Sequence, residues 1–128
     1  MRAIAYSSPG PSSVLELVER EPAEPGAGQV RVRVAVSGVN PTDWKRRRTI
    51  PPAQGDVAVP NQDGAGVVDA VGDGVDTVRV GDRVWLYYTW ESGPTGTAQE
   101  YTVVPAERVV PLPDEIDFAT GASLGVPA

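Results

Sequence analysis

Glycine and valine recur in short blocks between Asn61 and Trp85, and this pattern leaves few folds open to the chain. The β-branched valines between residues 67 and 71 favour a strand, and Gly72-Asp73-Gly74 favours a turn in which positive φ costs little. A second apolar run from Val78 to Trp85 predicts a partner strand, so the stretch is predicted to form a β-hairpin. Gly64-Ala65-Gly66 has almost no side-chain bulk, and we expect another part of the backbone to approach it closely.

The composition disfavours several kinds of site. The 128 residues fit one domain, and they include no Cys and no His, the ligands that zinc prefers. The net charge of −6 argues against a nucleic acid or an anionic membrane as partner. No apolar run is long enough to span a membrane, and the sequence opens as a strand rather than as a signal peptide. We therefore expect a cytoplasmic protein without a metal site.

The clearest strand in the sequence runs from Gln29 to Val36. Valines alternate there with Arg31, Arg33 and Ala35, so one face is predicted to lie in a core and the other to meet water. Six or seven short strands joined by turns favour a mainly β fold, a partly closed β-barrel with two or three short helices. The shorter strands are predicted at Arg2–Tyr6, Leu15–Glu19, Ala98–Val104 and Arg108–Val110.

A short helix is predicted directly after the long strand. Pro41 suits the first helical turn, and Asn40 before it is a natural N-cap. The acidic Asp43 near the start and the basic run Lys45–Arg48 near the end match the helix dipole. A second short helix, capped by Asp117, is predicted near the C-terminus.

Four motifs in this order resemble the medium-chain dehydrogenase/reductase superfamily: GVNPTDWK, the Asn61–Trp85 stretch, AQEY, and PLPDEIDFATGASLGVPA. The resemblance covers nearly the whole chain and implies that residues 1–128 form the GroES-like catalytic domain of that superfamily. Members continue into a Rossmann domain that holds a nicotinamide cofactor, whereas no strand here leads through G-x-G-x-x-G into a helix. We therefore expect this chain to be one part of a two-domain enzyme and to be inactive alone.

Two positions in these motifs distinguish zinc-dependent from zinc-free members of the superfamily. Zinc alcohol dehydrogenases read G-[IV]-C-H-[ST]-D where this chain has Asn40 in place of the Cys, and G-H-E-G where it has Gln62 in place of the His. A neutral amide is a poor zinc ligand. The sequence therefore resembles the zinc-free quinone oxidoreductase, or zeta-crystallin-like, branch.

That branch implies a substrate, a cofactor and a mechanism. Its members use NADPH, without zinc, to reduce quinones or the double bond of α,β-unsaturated carbonyls by direct hydride transfer. The choice of NADPH over NADH follows from the resemblance alone, because the residues that read the adenosine 2′-phosphate lie in the Rossmann domain. The resemblance also implies a homodimer in the full-length protein.

The resemblance assigns functions to residues of the first helix, and each has a structural alternative. Asn40 and Lys45 are predicted to be catalytic and to contact the cofactor, with Asn40 facing the nicotinamide or the acceptor oxygen. Asn40 could instead only cap the helix, and Lys45 could only be solvated. Trp44 is predicted to bind substrate, although core packing is the favoured alternative. For Asp43, a structural role at the helix start is favoured over proton transfer.

Further candidates lie in and after the hairpin. Gln62 is predicted to line the substrate cleft, and Asp63 to fix a loop. Tyr87 and Tyr88 are predicted to form one wall of a flat acceptor site, although packing within the barrel explains them equally well. Arg83 is predicted to pair with a nearby carboxylate.

Two other functions remain open. A non-catalytic GroES-like interaction or co-chaperone module would need a mobile hydrophobic loop, and the one loop of suitable length, Thr49–Asn61, is Pro-rich and leads into the hairpin. A zinc enzyme with unusual ligands is disfavoured, because neither Cys nor His is present.

Overall fold

The structure is a computed structural model that describes residues 1–52, 56–92 and 95–126. The strands are β1 (Arg2–Ala5), β2 (Glu16–Glu19), β3 (Gln29–Gly38), β4 (Asp63–Val71), β5 (Arg83–Leu86), β6 (Tyr101–Pro105) and β7 (Val109–Pro111). The α-helices are α1 (Pro41–Thr49) and α2 (Phe118–Gly121), and short 3₁₀ turns cover Ser12–Val14, Thr89–Ser92 and Ala106–Arg108. Within these ranges, no helix has the length and apolar character needed to cross a membrane.

The strands form two antiparallel sheets. β1 pairs with β2, and the larger sheet has the order β6-β3-β4-β5-β7. Single bridges from Ala3 to Gln99 and from Tyr6 to Ala58 connect the small sheet to the rest of the chain. The predicted mainly β class with two short α-helices is confirmed and agrees with a GroES-like fold. The strands of the described ranges do not close into a barrel.

The core follows the alternation of valines that the sequence shows in β3. Val30 and Val32 are fully buried, and they pack with further buried residues of the larger sheet: Val68, Val84, Leu86 and Val104. Arg31, on the other face of β3, forms an ion pair with Asp69 at 2.6 Å. The predicted division of β3 into a core face and a polar face is therefore confirmed.

The central hairpin forms, but its second strand is shorter than predicted. β4 pairs with β5, and β5 begins at Arg83 rather than at Val78. The loop between them turns at Gly81, whose φ is +96°, and this turn keeps the residues before it out of the ladder. Val78 is buried in the core all the same, whereas Val80 is 61% exposed. An apolar residue buried in a loop, such as Val78, gives the same sequence pattern as one in a strand. The apolar run therefore predicted a longer second strand than the one observed.

The glycines of β4 do allow a close approach, as predicted. A Cβ atom on Gly64 would lie 2.8 Å from Cγ2 of Thr97, and one on Gly66 would overlap the carbonyl oxygen of Arg33. The other predicted strands differ from the observed ones only at their ends. Residues 53–55 of the Thr49–Asn61 loop lie outside the described residues, as do residues 93–94 of the turn after β5.

Side-chain contacts fix the segment that contains α2. The Asp117 carboxylate accepts the N–H of Thr120 at 2.7 Å, so the predicted cap is confirmed. Arg83 makes no direct ion pair with a carboxylate in the described part of the chain, although its charge contributes, after the hydrogen bonds from Thr120, to the lowered pKa of Asp117. Its guanidinium donates instead to the carbonyl oxygens of Pro113 and Ile116, at 2.7 and 2.8 Å, and lies 4.4 Å from the centre of the Phe118 ring.

Candidate functional site

The two motifs that carry the predicted site meet where β3 ends and β4 begins. The antiparallel register of these strands places Gly38 opposite Asp63. Asn40 follows β3, and Gln62 immediately precedes β4, so the register brings both sequence segments to one place. The exposed fractions are 8% for Asn40, 5% for Asp43, 2% for Gln62 and 0% for Asp63. Four adjacent buried polar side chains need partners, and those partners define the site.

Asn40 is the N-cap of α1 and forms a reciprocal capping box with Asp43. The Asp43 carboxylate accepts the N–H of Asn40 at 2.7 Å, and the Asp43 N–H donates to the Asn40 carbonyl oxygen at 2.9 Å. The side-chain Nδ2 of Asn40 donates to Oδ2 of Asp63, at 2.8 Å. The nitrogen of the Asn40 amide therefore faces β4.

Asp63 lies beneath the C-terminal segment. Its Oδ2 also accepts the N–H of Val126 at 2.8 Å, while its Oδ1 is buried without a hydrogen-bond partner among the described residues. Burial raises the pKa of Asp63, and the hydrogen bonds from Val126 and Asn40 offset only part of that rise. Burial likewise raises the pKa of Asp43, against hydrogen bonds from the backbone N–H groups of Asn40 and Gln62.

Gln62 is buried next to this cluster. The backbone carbonyl oxygen of Gln62 accepts the backbone N–H of Thr89 at 3.3 Å. Its side-chain Oε1 is buried and has no partner within the described ranges. An unpaired buried acceptor loses its hydration without compensation, so a ligand N–H or O–H that reached it would gain a full hydrogen bond.

A small pocket opens between the end of β3 and α2. It has a volume of about 160 Å³ and is lined by Val36, Gly38, Val39, Asn40, Ala119, Ala122 and Ser123. Gln62 is not among its lining residues, so this pocket does not unite the two amides in one cleft. Ligand pockets usually measure roughly 300–1,000 Å³. This one can therefore take only one end of a ligand, and Asn40 is among the residues that would contact it.

Trp44 and Lys45 lie on the outer face of α1. Trp44 is 41% exposed, and this exposure argues against the core packing that was its favoured alternative. The Lys45 ammonium and the Arg48 guanidinium each lie 5.8 Å from the centre of the Trp44 ring. Trp44 lines a second pocket, and Val39 lines both pockets. The exposed aromatic and cationic groups are therefore close to the Asn40 pocket and not inside it.

Tyr87 and Tyr88 both contact Arg108, whose guanidinium lies 5.3 Å from each ring centre. The Tyr87 hydroxyl donates to the Glu107 carbonyl oxygen at 3.1 Å. Tyr88 has a φ of +51° and is 44% exposed. A Cβ on Gly125 would lie 2.9 Å from Cβ of Tyr87 and 2.7 Å from Cγ of Asp63. Tyr87 is thus adjacent to the site across Gly125.

Sequence reasoning missed the contact between Asp63 and Val126 and the position of Arg108. A glycine directly before Val126 is a weak signal of close backbone approach, but nothing in the sequence names its partner. In the described residues no group of three or more His, Cys, Asp or Glu is placed to hold a metal ion. Independence from zinc remains a prediction.

Comparison with known proteins places this site in context. Residues 26–114 match the alcohol dehydrogenase GroES-like domain. The quinone oxidoreductase of Pseudomonas aeruginosa is 39% identical over 96% of this chain and 37% of its own length. The chain therefore spans little more than a third of this relative.

Solved structures agree on the fold. Escherichia coli quinone oxidoreductase complexed with NADPH has a TM-score of 0.86 at 27% identity, over 97% of this chain and 37% of its own. A thermostable alcohol dehydrogenase from Pyrobaculum aerophilum has a TM-score of 0.81 at 33% identity, over 97% of this chain and 44% of its own. Because both enzyme types share the fold, the side chains at the site must distinguish between them.

Proposed function

Since the chain belongs to the alcohol dehydrogenase GroES-like domain family, in the quinone oxidoreductase branch of the medium-chain dehydrogenase/reductase superfamily, we propose that it is the substrate-binding domain of a zinc-independent oxidoreductase. The domain comprises residues 1–128. The reductant is NADPH, and the acceptor is a quinone or an α,β-unsaturated carbonyl compound.

One contact supports this proposal best, the hydrogen bond from Asn40 Nδ2 to Asp63 Oδ2 at 2.8 Å. Zinc alcohol dehydrogenases have a Cys ligand at the position of Asn40. Here an amide nitrogen occupies it and already donates to a buried carboxylate. An NH₂ group has no lone pair to give a metal.

The residues fit one end of the proposed cofactor. Asn40 lines a small pocket together with Gly38, Val39 and Ala122, and this lining suits a flat ring bearing one polar group. The strand pairs of both sheets are antiparallel, so the described chain contains no βαβ unit to grip the pyrophosphate. The cofactor would therefore be held mainly by a domain outside this sequence.

The chain's own residues have three roles in the proposed reaction. When bound, NADPH supplies the hydride. Asn40 orients the reacting end through its amide, Lys45 contributes a positive charge near the anionic ligand, and Trp44 with Val39 gives an apolar surface beside it. The reduced acceptor takes one proton from solvent, so hydride plus proton converts a quinone into a hydroquinone. Gln62, Tyr87 and Tyr88 are proposed to contact the acceptor.

The proposal is tested with a protein that carries this domain together with its nucleotide-binding domain. We expect oxidation of NADPH that depends on an added quinone or enone and that is unchanged after dialysis against a zinc chelator. The matched variant is Asn40→Ala, which removes the amide and should lower kcat/KM by at least about tenfold. Absence of turnover with every quinone and enone tried would refute the proposal.

A further inference from the structure

The pocket at Asn40 is the first of three pockets that share lining residues. Val39 lines both the Asn40 pocket and a second pocket of about 200 Å³. Ile4, Asn61 and Ala98 line that second pocket and also a third one, of about 430 Å³. The third pocket, unlike the first, has the size that ligand pockets usually have. The second and third pockets together form a groove, called the Ile4 groove after a residue that lines both, and it leads away from Asn40.

Apolar side chains that remain exposed lie along the Ile4 groove. Leu17 lines the third pocket and is 69% exposed, whereas Val39 and Trp44 line the second and are 74% and 41% exposed. Leu17 lies directly opposite Ile4 in the pairing of β2 with β1, so these two side chains share one face of the small sheet. Exposed apolar surface that continues from a candidate ligand site favours a ligand with an apolar part.

The polar side chains of the third pocket are already bonded within the chain. Asn61 Nδ2 donates to Ser37 Oγ at 2.9 Å, and Ser37 Oγ lies 2.7 Å from Thr97 Oγ1. Thr97 Oγ1 donates in turn to the backbone carbonyl oxygen of Asp63 at 2.6 Å. Groups that use their hydrogen bonds within the chain offer fewer to a polar ligand. The pocket therefore suits a hydrocarbon better than a sugar or a nucleotide.

The charged residues of the Ile4 groove are held by the chain as well. In the second pocket, Arg47 Nε donates to the Gly10 carbonyl oxygen at 3.2 Å, and the Asp43 carboxylate is bound to the start of α1. In the third pocket, Arg2 and Glu100 form an ion pair at 3.4 Å, and both side chains are exposed. This pair lies at the end of the groove remote from Asn40, where a bound chain would reach water.

We propose that the Ile4 groove binds a hydrocarbon tail of the acceptor, so that the preferred substrates carry an unbranched apolar chain of several carbons on the reacting group. The inference rests on the proposed function, which places the reacting end of the acceptor at Asn40. From there the tail passes Val39 and Trp44 and reaches Ile4 and Leu17. The groove recognises the tail through burial of apolar surface, and the reacting end supplies the polar contacts.

Substrate preference is tested by steady-state kinetics on the protein that carries both domains. The probes are 2-alkyl-1,4-benzoquinones with unbranched chains from methyl to decyl, and NADPH is the reductant. Each added methylene should raise kcat/KM by about twofold, since complete burial would give about fourfold, until the tail reaches water. Turnover of the methyl compound with a kcat/KM that does not rise with chain length would overturn the inference and leave the proposed function intact.

Leu17→Gln tests whether the gain with chain length arises in this groove. The ratio of kcat/KM for the decyl compound to that for the methyl compound should fall by at least about threefold, because an amide replaces apolar surface. Val80→Gln is the matched control. Val80 is 61% exposed and is not a lining residue of any of the three pockets, so the ratio should stay at its wild-type value. The same ratio in both variants would overturn the inference.

The location of the tail is tested without turnover, by NMR on the 128-residue chain. The probe is octan-1-ol, and butan-1-ol is the control with four fewer methylenes. The backbone N–H signals of Ile4, Val39 and Ala98 should shift in a saturable way, with octan-1-ol binding at least about tenfold more tightly. Shifts confined to other parts of the chain would overturn the inference. Signals of Leu17 that depend on protein concentration without any alcohol would overturn it too, because a second copy would then cover the groove.

Discussion

Gly66 in β4 lies so close to Arg33 in β3 that a Cβ atom at Gly66 would overlap the Arg33 carbonyl oxygen. The β3–β4 pair also positions the candidate site, because its register sets Gly38 opposite Asp63. The fold and the site therefore depend on the same close contact between two backbones.

Gly66→Ala is expected to destabilise the domain by about 3 kcal/mol, because the backbone of Arg33 cannot move without disturbing the ladder. The measurement is urea unfolding of the 128-residue chain. Gly74→Ala is the matched control. Gly74 has a φ of +81° and nothing within 4 Å of the added carbon, so only backbone strain of about 1 kcal/mol applies. Equal effects of the two substitutions would contradict the close approach.

Asp43→Ala is expected to destabilise the domain by about 2 kcal/mol. The substitution leaves the buried N–H of Asn40 without an acceptor and removes the cap of α1. Asp43→Asn keeps one acceptor oxygen and should recover at least half of the loss in thermal or urea unfolding. If both substitutions are harmless, Asp43 does not hold Asn40 in place.

The raised pKa values of Asp43 and Asp63 predict a specific dependence of stability on pH. Burial raises both above the ordinary 3.8, so the folded state holds these protons more tightly than the unfolded state. The resulting stabilisation is complete below about pH 4 and is lost as the pH rises through the folded-state pKa.

Asp63→Asn removes one of these titrating groups and isolates the part of the pH dependence of stability that Asp63 contributes. The free energy of unfolding of the wild type, relative to Asp63→Asn, should fall as the pH is raised from about 4 to 8. The exposed Asp73→Asn serves as the control for the loss of one charge. A relative stability that rises over this interval would mean that the folded state lowers the pKa of Asp63 instead.

Lys45→Ala is expected to weaken NADPH binding without changing the stability of the domain. Lys45 is exposed on α1, so its replacement should change the free energy of unfolding by less than about 0.5 kcal/mol. In the two-domain protein it should weaken NADPH binding by several fold, and the difference from wild type should shrink at high salt. Arg48→Ala is the control, because Arg48 lies at the same 5.8 Å from the Trp44 ring. Equal weakening by both substitutions would indicate general charge attraction rather than a contact of Lys45.

Local sequence patterns were enough to predict the elements that surround the site. The alternation of valines located β3, and Asn40 before Pro41 located the start of α1. The glycines of β4 predicted a close backbone approach, and Gly66 against Arg33 confirms it. Each of these features depends on residues close together in the sequence, where intrinsic preferences are strongest.

The contacts within the site could not be predicted in the same way. Asn40 and Asp63 are 23 residues apart, and Asp63 and Val126 are 63 apart. Their meeting depends on the register of β3 against β4 and on the path of the chain after α2. The sequence indicated that Asn40 could cap a helix, and only the three-dimensional structure shows that its side-chain nitrogen also bonds Asp63.

Zinc content tests the central claim most directly, namely that amides at the positions of Cys and His ligands make this a zinc-free site. The two-domain protein is expressed with added zinc, dialysed, and measured by elemental analysis together with quinone-dependent oxidation of NADPH. The account predicts full activity with no zinc above the background of the variant N40A/Q62A. One zinc per chain that is lost in that variant, with activity that a chelator abolishes, would contradict it.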